Sequence, residues 1–257
     1  MGYAGLELDG QVAVVIGGTS GIGRVIACGL AEAGADVIPT SRRAEQVENT
    51  ALQIEALGRR SLRVTSDVTD RGSLETLLNA AAKTFGKVDI MVNAAGRTKR
   101  VPILETDEKE WSEILETNLT GALRAGQVFG RHMVERRYGR IINIASLASF
   151  VALYQVAAYN ASKAGLASLT QTMAVEWAGF GVCVNAIAPG VFRTSLNTQL
   201  LEGPRGQEFL VRTPMKRFGK LEELVGAAVF LASKSASFVT GTILAVDGGF
   251  LASGVNQ

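Results

Sequence analysis

Short, continuously apolar runs alternate along this chain with longer stretches in which apolar residues recur every three or four positions. Val12-Ala13-Val14-Val15-Ile16 is the first run. It lacks the polar alternation of a strand with one wet face, so it suits a strand covered on both sides of a parallel sheet. Comparable runs follow at 36–40, 61–66, 88–92, 140–145, 182–188 and 242–246. Between them the period becomes helical: Leu74, Leu77, Leu78, Ala81, Ala82 and Phe85 share one helix face. Further helices are predicted at about 22–33 and 156–178. This alternation predicts an α/β chain built on a doubly wound parallel sheet of about seven strands, with helices on both faces. No Pro/Ser-rich linker, low-complexity tract or repeat divides it, so residues 1–257 read as a single domain.

Composition removes several function classes. The chain has 257 residues with 26 basic against 24 acidic side chains, a balance that gives no general case for nucleic acid or membrane surfaces. No apolar run approaches the roughly 18 residues of a membrane span. The first ten residues have neither a basic nor an apolar region of the kind that directs secretion. Cys28 and Cys183 are the only cysteines. They fit buried thiols in a reducing cytoplasm better than a disulfide. With His132 the single histidine, no metal site is expected. His132 lies among Arg131, Arg136 and Arg137 and reads as part of a solvated helix face.

The first strand runs directly into Gly17-Gly18-Thr19-Ser20-Gly21-Ile22-Gly23 and then a helix. Glycines there permit a tight turn and let backbone N–H groups approach a phosphate, with the helix N-terminus adding positive potential. A glycine turn placed between a buried strand and a helix is the dinucleotide-binding arrangement of a Rossmann fold. The second strand ends at Thr40-Ser41-Arg42-Arg43. Ser41 stands where a site for NAD usually carries a carboxylate, and two arginines follow. Arginine makes charge-assisted, often bidentate bonds to phosphate, which suits the 2′-phosphate of NADP. Asp67 and Val68 close the third strand as an edge for an adenine ring. Asn93-Ala94-Ala95-Gly96 ends the fourth with small residues against which a cofactor can lie.

Three further features sit near the carboxyl edge of the sheet, where ligands bind in this architecture. Asn118 interrupts an otherwise apolar, small-residue helix; mid-helix Asn is unfavourable by propensity, so it either supports a local kink or serves chemistry. Ser146 ends the fifth strand. Tyr159 and Lys163 lie four apart on a helix, so a phenol and an ammonium share one face. A cation fixed beside a phenol of pKa about 10 favours the phenolate and eases proton exchange with an alcohol.

Together these residues resemble the short-chain dehydrogenase/reductase family over about 10–250. The resemblance is carried by Gly17-x-x-x-Gly21-Ile22-Gly23, Asn93-Ala94-Ala95-Gly96, Asn118, Ser146, Tyr159-x-x-x-Lys163, Asn185, Pro189-Gly190 and Val246-Asp247-Gly248-Gly249. Two departures appear: Ile16 stands where Thr is usual, which would loosen a bond between the glycine turn and a neighbouring loop, and Ala94 stands where Asn is common. The resemblance implies that Tyr159 is the general acid/base. It implies that Lys163 lowers the phenol pKa and binds the nicotinamide ribose, and that Ser146 orients the substrate oxygen. Asn118 would hold a water linking Lys163 to solvent. Val191 and Thr194, after Pro189-Gly190, would meet the carboxamide. NADP(H) is the expected cofactor, with NAD(H) the alternative.

The irregular stretch 191–213, with Gly203-Pro204-Arg205-Gly206 breaking any helix, reads as a substrate lid or as a surface loop. Small residues at Ala157, Ala161, Gly165 and Ser168 would let helices approach closely, which with the family habit suggests a homotetramer. Arg97-Thr98-Lys99-Arg100 lies on the rim of the expected pocket. Sugar-acid members such as gluconate 5-dehydrogenases are similar here, yet a basic cluster would also serve a 3-oxoacyl-(acyl-carrier-protein) reductase or be solvated loop. The leading expectation is hydride exchange between NADP(H) and a secondary alcohol or ketone of a small sugar acid. A non-catalytic NADP sensor or scaffold is the alternative of another class.

Overall fold

Each strand of the sheet sorts its side chains between two cores. Ala13 and Val15 of β1 (Val12–Ile16) enter one apolar cluster, while Val12, Val14 and Ile16 enter the other. The period of two thus serves two buried faces at once, which is why these runs are apolar throughout. The computed structural model describes residues 4–194 and 198–254. Within them, β2 (Asp36–Thr40), β3 (Ile90–Asn93), β4 (Gly139–Ile144), β5 (Val182–Pro189) and β6 (Ile243–Val246) join β1 in one six-stranded sheet. All pairings are parallel, in the order β2-β1-β3-β4-β5-β6.

On one face pack α1 (Gly21–Glu32), α2 (Ala44–Ala56) and α9 (Val225–Ala232); on the other pack α3 (Arg71–Phe85), α5 (Gly121–Glu135) and α6 (Ala157–Trp177). The remaining helices are α4 (Glu108–Leu115), α7 (Thr198–Glu202) and α8 (Pro204–Arg212). The order reverses between β1 and β3. That opens a crevice at their carboxyl ends.

The run at 61–66 is not a strand, so six strands are present where about seven were expected. It lies beside β2, but side-chain hydroxyls replace much of the ladder: Ser61 Oγ donates to Val37 O at 2.7 Å and Thr40 Oγ1 to Val64 O at 2.6 Å. Two backbone bonds, Val37 N–H to Arg60 O and Ser66 N–H to Ser41 O, hold its ends.

The stretch 191–213 also differs from expectation. Ser195, Leu196 and Asn197 lie outside the described residues; beyond them come two short helices. Pro204 takes the first position of α8, where its missing N–H costs nothing, so it starts a helix as well as ending one. His132 is half-buried and structural: its Nε2 accepts Val88 N–H at 3.2 Å, and burial pushes its pKa down. Cys28 is half-buried and Cys183 buried, both free.

Candidate active site

The glycine turn folds against the reversal point. A Cβ on Gly17 would lie 2.9 Å from the Ala94 and Ala95 backbone, and one on Gly23 would sit 2.1 Å from Gly17 O. Gly21, at φ +49°, faces open space instead, so the backbone at the start of α1 is bare to whatever occupies the crevice. Ser20, the N-cap, makes no side-chain cap, leaving the helix end without that satisfaction. These features fit a pyrophosphate. Ile16 packs its side chain in the core, and its carbonyl accepts Ala94 N–H at 2.8 Å, so the turn meets the neighbouring loop there through backbone.

The end of β2 is stapled to the same turn. Gly17 N–H and Gly18 N–H both reach Thr40 O, and Thr19 Oγ1 lies 2.9 Å from Ser41 Oγ. Arg42 and Arg43 are exposed and make no ion pair among the described residues. Asp67 is half-buried and its carboxylate accepts from Thr69 N and Oγ1, shaping the turn before α3; Val68 is buried beside it. Asn93, also buried, accepts Ala95 N–H at 3.3 Å and so fixes the small-residue corner ending at Gly96. Pro189 closes β5. Gly190 packs against Asp247, where a Cβ would come within 2.6 Å of Cα. Val191 O accepts Gly219 N–H, and half-buried Thr194 O accepts from Thr198.

Ser146, Tyr159 and Lys163 meet at the ends of β4 and α6. Ser146 Oγ accepts Ala148 N–H at 3.1 Å, and its hydroxyl lies toward the Tyr159 phenol, where it favours the ionised form. Lys163 is 4% exposed, its Nζ 5.7 Å from the centre of the Tyr159 ring and donating to Ile144 O at 2.7 Å. Burial pushes the Lys163 ammonium down to about 8 and pushes the Tyr159 phenol up, with the Ser146 hydrogen bond offsetting part of the rise. Desolvation disfavours both charged forms and so works against the lowering of the phenol expected from Lys163. The resting pair is a protonated phenol above a weakly held cation.

Asn118 lies in a π-helical segment, Glu116–Thr120, between α4 and α5. The bulge turns its amide inward, fully buried. Oδ1 accepts Arg97 N–H at 2.8 Å, and Nδ2 donates to Arg97 O at 2.9 Å and Ser162 Oγ at 3.0 Å. Ser162 in turn donates to Tyr159 O. The amide expected to hold a water therefore ties the loop after β3 to the first turn of α6. Asn118 still lies beside the ammonium, since a Cβ on Gly96 would be 3.5 Å from Asn118 Oδ1 and 3.7 Å from Lys163 Nζ.

The basic rim is divided. Arg97 pairs with Glu110 and Glu113, and Lys99 with Glu110, so acids of α4 neutralise two of the three cations. Arg100 is the exception: its Nε donates to Gln155 Oε1 at 2.7 Å. Sequence reasoning passed over Asn160, whose amide makes two bonds to the Leu153 backbone and pins the loop before α6 beside Tyr159. Its place between Tyr and Lys was the available signal. It also passed over Arg205, masked by the glycines and proline around it.

Comparison with known proteins adds to this geometry. Residues 16–251 match the family described as enoyl-(acyl carrier protein) reductase. The chain is 39% identical to a gluconate 5-dehydrogenase of Gluconobacter oxydans over 248 residues, covering 96% of this chain and 97% of that one. It is 41% identical to a 2-dehydro-3-deoxy-D-gluconate 5-dehydrogenase of Escherichia coli over 249 residues, with the same coverages. A gluconate 5-dehydrogenase of Burkholderia cenocepacia, solved in complex with NADP and tartrate, superposes with a TM-score of 0.94 at 35% identity, covering 97% of this chain and 98% of that one.

Proposed function

Because the chain belongs to the short-chain dehydrogenase/reductase family, we propose that it exchanges a hydride between NADP(H) and a secondary alcohol or ketone of a small sugar acid. The observation that carries this reading is the half-buried Tyr159 set between buried Ser146 and Lys163 at the edge of a glycine-lined crevice. A sensor or scaffold has no use for a desolvated proton donor there. The relatives named for gluconate chemistry support the substrate class. When bound, the cofactor supplies or accepts the hydride.

The chain's own residues do the rest. Gly17, Thr19, Ser20, Gly21, Ile22 and Gly23 would hold the pyrophosphate, with Ser41, Arg42 and Arg43 at the 2′-phosphate. Asp67 and Val68 would flank the adenine, and the Asn93–Gly96 corner, Pro189, Gly190, Val191 and Thr194 the nicotinamide half. Tyr159, a phenol with an ordinary pKa about 10 that burial raises further, donates its proton to the carbonyl oxygen of a ketone. Ser146 orients that oxygen. Lys163 would hold the cofactor ribose, and its charge steadies the phenolate left behind. Asn118 would hold a water linking Lys163 to solvent, while its amide holds Arg97 and Ser162 in place.

The finer assembly and location follow the same reading: a cytoplasmic homotetramer with a lid at 191–213. Exposed Ala161, Ala164, Ser168 and Val175 form one uncovered face of α6, which supports pairing of chains there. Gly165 does not belong to that face, since a Cβ would meet Leu119 of the same chain at 2.9 Å. No helix among the described residues is long and apolar enough to cross a membrane.

The test is NADPH absorbance against a panel of keto-sugar acids and 3-oxoacyl thioesters. Oxidation with 5-ketogluconate in preference to the thioesters is expected. Preference for thioesters would favour a 3-oxoacyl-(acyl-carrier-protein) reductase, and no turnover with any ketone would favour a sensor.

A further inference from the structure

Two arginines from different parts of the chain converge on the loop that leads into α6. Arg100 follows β3 and bonds Gln155 Oε1 at 2.7 Å. Arg205 opens α8 and donates through Nη1 to Tyr154 O at 3.1 Å. Tyr154 and Gln155 are adjacent, so both guanidiniums end on one dipeptide. That dipeptide is held firmly. Val101 N–H bonds Gln155 O at 2.8 Å, and Gln155 adopts a left-handed backbone at φ 64°. Asn160 clamps Leu153 with bonds of 3.2 and 2.9 Å. Asn160 is the neighbour of Tyr159, so the loop on which the arginines meet is tied to the turn of α6 that carries the proton donor.

Among the described residues neither arginine makes an ion pair with a carboxylate. Arg97 and Lys99 take the carboxylates of Glu110 and Glu113, while Glu208, next along α8, pairs with Arg212 at 3.3 Å. Arg205 is half-buried, its guanidinium 5.6 Å from the centre of the Phe209 ring, and Phe209 packs on Phe250. Its fork is thus oriented by an aromatic face and one carbonyl, which leaves other N–H donors to serve a ligand. Partial burial and the neighbouring Arg100 charge disfavour the Arg205 cation, and Glu208 offsets part of this. An anion seated between the two forks would relieve that repulsion.

We infer that Arg205 and Arg100 form a two-guanidinium clamp for the substrate carboxylate, placing a carbinol further along the chain at Tyr159 and Ser146. This rests on the sugar-acid reading above and deepens it. The ligand class is a short polyhydroxy carboxylate. The clamp joins α8 to the loop that precedes the catalytic helix.

The decisive experiment is calorimetric titration of the full-length, NADP⁺-saturated protein with tartrate, a small hydroxy dicarboxylate. Wild type should bind. Arg205→Gln and Arg100→Gln should each weaken binding about 10- to 100-fold, the loss of one charge-assisted hydrogen bond. Arg205→Lys, which keeps the charge without the fork, should fall between. Unchanged NADPH affinity in each variant reports that the fold is intact. Equal tartrate affinity in all four proteins, or none in wild type, would overturn the clamp.

A kinetic arm separates this from the functional reading. The ratio of kcat/KM for gluconate to that for sorbitol, which bears a hydroxymethyl group in place of the carboxylate, should fall at least tenfold in Arg205→Gln, chiefly through the KM for gluconate. Gluconate oxidation with an unchanged ratio would remove the clamp and leave the sugar-acid activity. Arginine-dependent tartrate binding without gluconate turnover would remove the sugar-acid activity and leave the clamp.

Discussion

Replacing Lys163 by Met should flatten the dependence of stability on alkaline pH. The ammonium is buried and its pKa is pushed down from 10.5 to about 8. Between those values the unfolded chain holds a proton that the folded chain has released, so unfolding free energy rises with pH across that window. Carrying the two values through the linkage relation gives a gain of about 2 kcal/mol between about pH 7 and 9.5. Met is unbranched and close in length, so it fills the same channel without a charge. It also leaves Ile144 O without its 2.7 Å donor, a cost that is independent of pH. Tyr159 and Cys28, both pushed up by burial, keep their protons longer in the folded state and act in the opposite sense at high pH. Cys28 is common to both proteins and cancels in the difference; Tyr159, coupled to Lys163, cancels only where it stays protonated in both, below about pH 9. Urea denaturation at a series of pH values, with equal m-values, reads the effect. Parallel stability curves for wild type and Lys163→Met would refute the view that this lysine is folded into a poorly solvating site.

Two further outcomes follow from the crevice. Arg42→Ala should lower the preference for NADPH over NADH by about ten- to a hundred-fold if it forms one charge-assisted bond to the 2′-phosphate, measured as the ratio of kcat/KM values at low salt; an equal loss for both cofactors would assign the arginine to the fold. Gly23→Ala should weaken NADPH binding and lower the melting temperature together, because its methyl would stand 2.1 Å from Gly17 O; an overpacked contact of this kind costs about 1–3 kcal/mol, and an unchanged titration would contradict the geometry of the turn.

How much of this was legible in the sequence depended on whether a signal was local. The strands were legible because burial on two faces leaves no polar position in a run such as Val12–Ile16. The run at 61–66 carries the same β-branched flavour but mixes in Ser61, Arg63 and Thr65, and hydroxyl-to-carbonyl bonds satisfy the backbone without a full ladder. The Asn118 bulge was half legible: propensity marked an irregularity, and only the fold shows the amide clamping Arg97 and Ser162. The balance of charges on the rim was not legible. Whether Arg97 and Lys99 are free depends on where α4 places Glu110 and Glu113, a tertiary fact. Arg205 was hidden for a related reason, since Gly203 and Pro204 read as a break when Pro204 in fact begins α8.

The account turns on the Tyr159 hydroxyl as the group that exchanges a proton with the substrate oxygen. Tyr159→Phe keeps the ring beside Lys163 and removes only that hydroxyl, so the measurement is pre-steady-state and steady-state NADPH consumption with 5-ketogluconate, alongside NADPH affinity. The predicted result is NADPH affinity within a few-fold of wild type with the rate of reduction lower by about 10²–10⁴. A Tyr159→Phe protein that reduces 5-ketogluconate at nearly the wild-type rate would contradict the assignment.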